Sequence, residues 1–137
     1  MATIYKEIIV ELDAALVWDA LRDFGAVHTR LAPGFLTDCK LDGQGARIVS
    51  FANGLVAREL LVAIDEPNRR LAYTVTGGKA DHHHASAQVF AHGEGRSRFV
   101  WITDVLPDRL AGYIAPMMDE GGVAMKKALE KQGAPAA

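Results

Sequence analysis

A single change of period, at Pro107, constrains this chain more than any other feature. From Phe35 to Leu106 the sequence reads as strand after strand, broken at Asp42-Gly43-Gln44-Gly45, Ala52-Asn53-Gly54, Glu66-Pro67-Asn68, Gly77-Gly78 and His92-Gly93-Glu94-Gly95. These breaks define six strands joined by turns too short for a crossover helix, so the sheet is predicted to be an antiparallel meander. After Pro107 the apolar residues Leu110, Ile114, Met117, Gly121, Met125 and Ala128 form one helical stripe, predicting a helix from about Asp108 to Lys131. Pro107 suits the first turn of that helix, with Asp108 near its start and Lys126, Lys127 and Lys131 near its end, as the helix dipole favours. Pro116 and the pair Gly121-Gly122 are expected to bend or loosen it.

Ahead of the meander, Ile4, Ile8, Val10 and Leu12 alternate with Tyr5, Glu7 and Glu11, the pattern of a half-buried strand. Asp13 then caps a helix carrying Val17, Trp18, Leu21 and Phe24 up to Gly25, and a second short helix runs from about Ala26 to Leu31 before Pro33-Gly34. The expected fold is therefore α+β: a seven-stranded curved antiparallel sheet around a long C-terminal helix, with two short helices after the first strand. A sheet of seven strands coils strongly, and one helix across its concave face leaves a hollow, so a cavity is the expected by-product. The pattern fits one domain over residues 1–132, with 133–137 as a disordered tail.

Composition narrows the function. With 15 Lys plus Arg against 17 Asp plus Glu, the net charge of −2 gives no footprint for nucleic acid or an anionic membrane. The longest apolar runs, such as Leu60-Leu61-Val62-Ala63-Ile64, fall far short of the ~20 residues that span a bilayer. Cys39 is the sole cysteine, so no internal disulfide forms, and the charges at Lys6 and Glu7 interrupt any secretory apolar region. A cytoplasmic protein is expected, with no cofactor, a small hydrophobic molecule as its partner, and a homodimer left open.

The run Ala15-Leu16-Val17-Trp18-Asp19-Ala20-Leu21, then Gly43-Gln44-Gly45-Ala46-Arg47, Gly54, Glu59, Asp65-Glu66 and Arg70-Leu71-Ala72-Tyr73, resembles the SRPBCC or START-like superfamily, in its polyketide cyclase/dehydrase-like branch. The closing Gly121-Gly122-Val123-Ala124-Met125-Lys126-Lys127-Ala128-Leu129-Glu130 is similar to the last helix of that family. The resemblance covers nearly the whole chain and implies the helix-grip fold and a ligand cavity. The superfamily includes lipid carriers, hormone receptors, cyclases and co-chaperones, so fold is better fixed than function. It also implies that the turns Ala52-Asn53-Gly54 and Gly77-Gly78-Lys79-Ala80-Asp81 lie at the cavity mouth, although glycine suits turn geometry alone. Members often carry tryptophan in the second short helix, where this chain has Val27, His28 and Leu31.

The most informative constellation is Arg47 with Glu59. A three-residue loop at Ala52-Asn53-Gly54 pairs Phe51 with Leu55, Val49 with Ala57, and Arg47 with Glu59 on one face. On the outer face such a pair is worth under ~1 kcal/mol; inside a cavity, removing one partner strands the other at about 3–5 kcal/mol. The resemblance implies a ligand-facing Glu59. Tyr73, Val75, His83, Ala85, Ala87, Val89, Phe99, Trp101, Thr103 and Val105 alternate with more polar positions and are read as inward-facing. Small Ala85 and Ala87 beside large Tyr73 and Trp101 leave the space a pocket needs. Strand four is ambiguous, because both its faces are apolar.

The expected ligand-binding set is Arg47, Glu59, Leu61, Tyr73, Val75, His83, Ala85, Ala87, Phe99, Trp101, Ile114, Met117 and Gly121. In an enzyme, the proton-transfer groups would be Glu59, Tyr73 and His83, in a cyclase, dehydratase or isomerase without metal or nucleotide. His82, His83 and His84 invite a metal reading with Asp104 or His28, but a strand sends His83 to the face opposite His82 and His84, and no spacing matches a zinc pattern. No serine sits in a nucleophile elbow, Cys39 has no base nearby in sequence, and Gly43-Gln44-Gly45 and Gly93-Glu94-Gly95 lack the following helix of a phosphate cradle. Binding is therefore favoured over catalysis.

Overall fold

The computed structural model describes residues 1–133. Strand β1 (Ala2–Val10) leads into helix α1 (Ala14–Arg22), then a 3₁₀ turn (Phe24–Ala26) and a π-helical turn (Val27–Leu31). The meander follows as β2 (Leu36–Leu41), β3 (Ala46–Phe51), β4 (Val56–Asp65), β5 (Arg70–Thr76), β6 (His82–Ala91) and β7 (Ser97–Leu106), and helix α2 (Ala111–Gly133) closes the chain. Asp13 caps α1 as expected, its carboxylate accepting from the Ala15 amide at 3.2 Å. The second short helix forms as the π-helical turn Val27–Leu31, preceded by the 3₁₀ turn Phe24–Ala26.

All seven strands form one antiparallel sheet in the order β1-β7-β6-β5-β4-β3-β2, so β1 adds beside β7 and the meander ends on β2. The β3–β4 hairpin has the expected register: Val49 opposes Ala57, Arg47 opposes Glu59, and the Phe51 amide donates to the Leu55 carbonyl at 2.8 Å. Gly54 adopts φ +89°, a left-handed conformation that a side chain at this turn would strain. A register shift between Leu61 and Ala63 resolves the ambiguity of strand four. Ala57 and Glu59 face inward, while Val56, Leu60 and Val62 stay exposed.

Helix α2 departs from the expected stripe. Asp108–Leu110 form a separate 3₁₀ turn, Pro107 precedes that turn in extended conformation, and α2 continues to Gly133. Its buried residues are Met118, Gly121, Gly122, Met125 and Leu129, so the packed face is rotated from the one that Leu110 and Ala128 suggested. Leu129 is fully buried, a contribution of about 1.5–3 kcal/mol for a side chain of its size. The glycine pair does not interrupt the helix. A Cβ on Gly121 would lie 3.0 Å from the Phe35 ring and 3.2 Å from Trp101, and one on Gly122 would lie 2.9 Å from Ile8. These glycines let the helix approach the sheet closely, which outweighs their poor helix propensity. Lys126 is drawn away from a purely dipolar role: its ammonium donates to the Ile9 carbonyl at 2.6 Å and to Glu130 at 2.7 Å. The expected tail lies outside the described residues apart from Gly133, which belongs to α2.

The core fills the space between the sheet and the first short helices with Val17, Trp18 and Leu21 from α1, Leu71, Val89 and Phe99 from the sheet, and Met125 and Leu129 from α2. No helix among the described residues is long and apolar enough to cross a membrane.

Candidate functional site

Where the core stops, the sheet and α2 enclose a cavity of about 570 Å³. That lies within the range of small-molecule pockets. Strand alternation supplies most of the wall: Arg47 from β3, Ala57 and Glu59 from β4, Leu71, Tyr73 and Val75 from β5, His83 and Ala87 from β6, and Phe99, Trp101 and Thr103 from β7. The helix contributes Ile114, Met117, Met118, Gly121 and Met125, and the irregular turns contribute Val27 and Leu31. The missing tryptophan in the second short helix is thus replaced by two buried aliphatic side chains.

Exposed wall residues mark the opening. Leu55 and Val56 follow the β3–β4 turn, Gly78 and Lys79 stand in the β5–β6 turn, and Arg109 and Tyr113 stand near the start of α2. Of the two turns that the family resemblance assigned to the mouth, Gly77-Gly78-Lys79-Ala80-Asp81 contributes Gly78, Lys79 and Ala80 to the wall, whereas Ala52-Asn53-Gly54 contributes none and only the flanking Phe51 and Leu55 line it.

One ion pair stands in this wall. Arg47 Nε donates to Glu59 Oε1 at 2.8 Å, with the two side chains only 6% and 9% exposed. Arg47 is held twice more: Nη1 donates to the Phe24 carbonyl at 3.1 Å, and the guanidinium lies 4.0 Å over the Phe24 ring. The Tyr73 ring stands 5.5 Å from the guanidinium carbon. These contacts fix the planar fork, so Arg47 presents Glu59 in one orientation. Glu59 Oε2 has no protein partner among the described residues, and Glu59 lines the cavity. A carboxylate oxygen so placed accepts a hydrogen bond from an O–H or N–H of a bound molecule.

Burial pushes the Tyr73 phenol well above its ordinary range, the Glu59 charge adding to this and Arg47 opposing it, so Tyr73 remains a protonated donor. Burial lowers the pKa of His83, helped by the neighbouring His82. His83 therefore meets the cavity as a neutral imidazole near pH 7. The Cys39 thiol is pushed up by burial, and its Sγ points at the Phe24 carbonyl 3.8 Å away, which fits a structural side chain.

Of the expected ligand-binding set, Arg47, Glu59, Tyr73, Val75, His83, Ala87, Phe99, Trp101, Ile114, Met117 and Gly121 line the cavity. Leu61 and Ala85 do not. Ala85 shares the inward face in a row with Leu61, Tyr73 and Thr103, but its methyl is fully buried in the core. Leu61 packs against that core at the register shift. The histidine run divides as strand alternation requires: His83 faces in, while His82 and His84 stack outside with ring centroids 6.5 Å apart. Asp104, opposite His84, accepts from the Thr3 hydroxyl at 2.6 Å and lies on the sheet face opposite His83.

Sequence reasoning missed Phe24 as the platform for Arg47, because its helical spacing marked it only as core. It also missed Phe35 and Phe51, whose rings meet edge to face at 5.4 Å in the wall, and the exposed wall residues Arg109 and Tyr113. Turn residues carry no periodicity that announces the direction they face.

The family model for polyketide cyclase / dehydrase and lipid transport matches residues 1–132. No curated protein matches the sequence. Among solved structures, XoxI from Bacillus cereus superposes with a TM-score of 0.85 at 17% identity, over 98% of this chain and 100% of that one. Truncated norcoclaurine synthase from Thalictrum flavum gives 0.75 at 18% identity, over 99% and 95%. A START superfamily protein from Mycobacterium smegmatis gives 0.69 at 15% identity, over 95% of each chain. At these identities the likeness is one of fold.

Proposed function

Since the chain belongs to the polyketide cyclase / dehydrase and lipid transport family, we propose that it binds a small, mostly hydrophobic molecule in the cavity between sheet and helix. The observation that carries this reading is a cavity of about 570 Å³ with a largely apolar wall into which one buried ion pair is set. Apolar walls supply affinity through burial, and one fixed polar group sets orientation. Glu59 Oε2 accepts from a donor on the ligand, and Arg47, locked by Phe24, keeps that oxygen in place. Aromatic Phe99 and Trp101 flank the small Ala87, which leaves the room. We assign the protein to the cytoplasm, where its lone cysteine stays reduced. Native mass spectrometry of the protein as purified tests the reading: a complex with one small molecule, lost on denaturation, is expected. A ligand-free protein that also fails to take up neutral apolar probes overturns it.

A second reading is proton-transfer catalysis of the cyclase or dehydratase type in the same cavity. One observation favours it: a carboxylate oxygen without a protein partner, a protonated Tyr73 and a neutral His83 all belong to one apolar wall. Norcoclaurine synthase, of the same fold, is by its name a synthase.

A further inference from the structure

We infer that the ligand is an anionic amphiphile, its apolar body in the cavity and its acidic group at the mouth between Lys79 and Arg109. The inference rests on the cavity-binding reading above and deepens it. The ionised wall residues are Arg47, Glu59, Lys79 and Arg109. Arg47 and Glu59 neutralise each other. Lys79 and Arg109 are exposed and have no carboxylate within salt-bridge distance among the described residues. Asp81, exposed in the same turn as Lys79, is within salt-bridge distance of neither cation, so two positive charges stand against one negative and the opening of the cavity keeps an excess of positive charge on a chain whose net charge is −2.

The fold brings these two cations to one place. The Asp81 amide donates to the Leu106 carbonyl at 2.8 Å, tying the β5–β6 turn to the end of β7. Lys79 stands two residues before that tie and Arg109 three residues after it. The neighbouring Asp108 is occupied by the N-terminal ammonium at 2.9 Å, so it does not cancel Arg109. Two cations at the rim of an apolar hollow attract an anion whose tail can enter, and a low-dielectric wall strengthens that field. A carboxylate and a phosphate monoester share the required chemistry; Lys offers a point charge and Arg a two-pronged donor to either. A soluble ligand is favoured over an anionic membrane surface, because the only uncompensated cations of the wall are these two and the chain as a whole is acidic.

The test is displacement of a neutral apolar dye, Nile red, from the intact chain at low salt by four twelve-carbon compounds: dodecanol, dodecanoate, dodecyl phosphate and dodecylamine. Both anions are expected to bind on the order of tenfold more tightly than dodecanol, and dodecylamine more weakly than dodecanol. The preference is expected to vanish in the double variant Lys79→Gln, Arg109→Gln, with dodecanol binding unchanged. Both positions are exposed, so the variant is expected to fold. A preference for only one of the anions identifies the head group. Equal binding of dodecanol and dodecanoate overturns the anionic head and leaves the cavity reading intact. Failure of dye and all four compounds to bind overturns both. Binding to vesicles containing phosphatidylserine, without preference among the soluble compounds, overturns the inference in favour of membrane docking.

Discussion

Strand β4 places two ion pairs side by side, one on each face of the sheet. Glu59 points inward and meets Arg47 at 2.8 Å; Arg58, its neighbour in sequence, points outward and meets Asp42 at 2.9 Å. The bonds are almost equal in length, yet the inner side chains are 6% and 9% exposed and the outer ones 43% and 49%. Geometry alone therefore ranks the two pairs as equivalent, and desolvation separates them. Outside, water screens each charge and competes for each hydrogen bond. Inside, each charge depends on its partner, and Arg47 has gathered a carbonyl and two aromatic faces as well.

The largest effect expected from this contrast is on stability. Arg47→Ala strands the Glu59 carboxylate in the cavity wall and is expected to cost about 3–5 kcal/mol. Arg58→Ala, on the same hairpin, is expected to cost under ~1 kcal/mol. Urea denaturation of both variants measures the gap; comparable losses would remove the distinction between the faces.

Next comes the polar contact itself. Glu59→Gln keeps the shape but removes the charge and nearly all basicity. A binding protein is expected to lose about 1–3 kcal/mol of affinity for its ligand, whereas an enzyme using Glu59 as general base loses on the order of 10²–10⁴-fold in turnover with affinity little altered. Titration of the co-purified ligand, with product analysis alongside, separates these outcomes. Asp42→Asn, the corresponding change outside, is expected to leave both unchanged.

The smallest effect concerns the histidines. His83 has a lowered pKa in the folded chain, so the unfolded chain binds its proton first as pH falls. Stability conferred by neutral His83 is complete above pH about 6.5, the unfolded value, and declines as pH falls toward the lower folded value. His83→Gln is expected to flatten this part of the stability profile, while His82→Gln, on the outer face, removes only the small charge coupling between the two. A profile unaltered by His83→Gln would contradict the burial of that ring.

Much of this was legible beforehand, for identifiable reasons. The single period change at Pro107 set seven strands against one closing helix, and the three-residue turn at Ala52-Asn53-Gly54 set the Arg47–Glu59 register, because alternation and turn length are local properties. The side of the sheet that would be buried was not local. The face of β4 depended on a register shift at Leu61–Ala63, and the packed face of α2 depended on the close approach of Gly121 and Gly122 to Phe35, Trp101 and Ile8. Phe24 escaped notice as a cation platform because it is 23 residues from Arg47 in sequence and joins it only through the fold. Ala85 and Ala87 look alike in sequence, yet one is sealed in the core and the other borders the hollow.

That last difference gives the most direct test of the cavity as a binding site. Ala87 lies against Leu71 and Trp101 in the wall, so Ala87→Phe places a ring in the hollow. Calorimetric titration with Nile red, a neutral probe, is expected to give one-to-one binding to the native chain and at least tenfold weaker binding to Ala87→Phe, with a cooperative melt retained and a cost no greater than the ~1–3 kcal/mol of overpacking. Unchanged binding in a variant that melts several degrees lower would make Ala87 ordinary core and contradict the cavity as the place where the ligand is held.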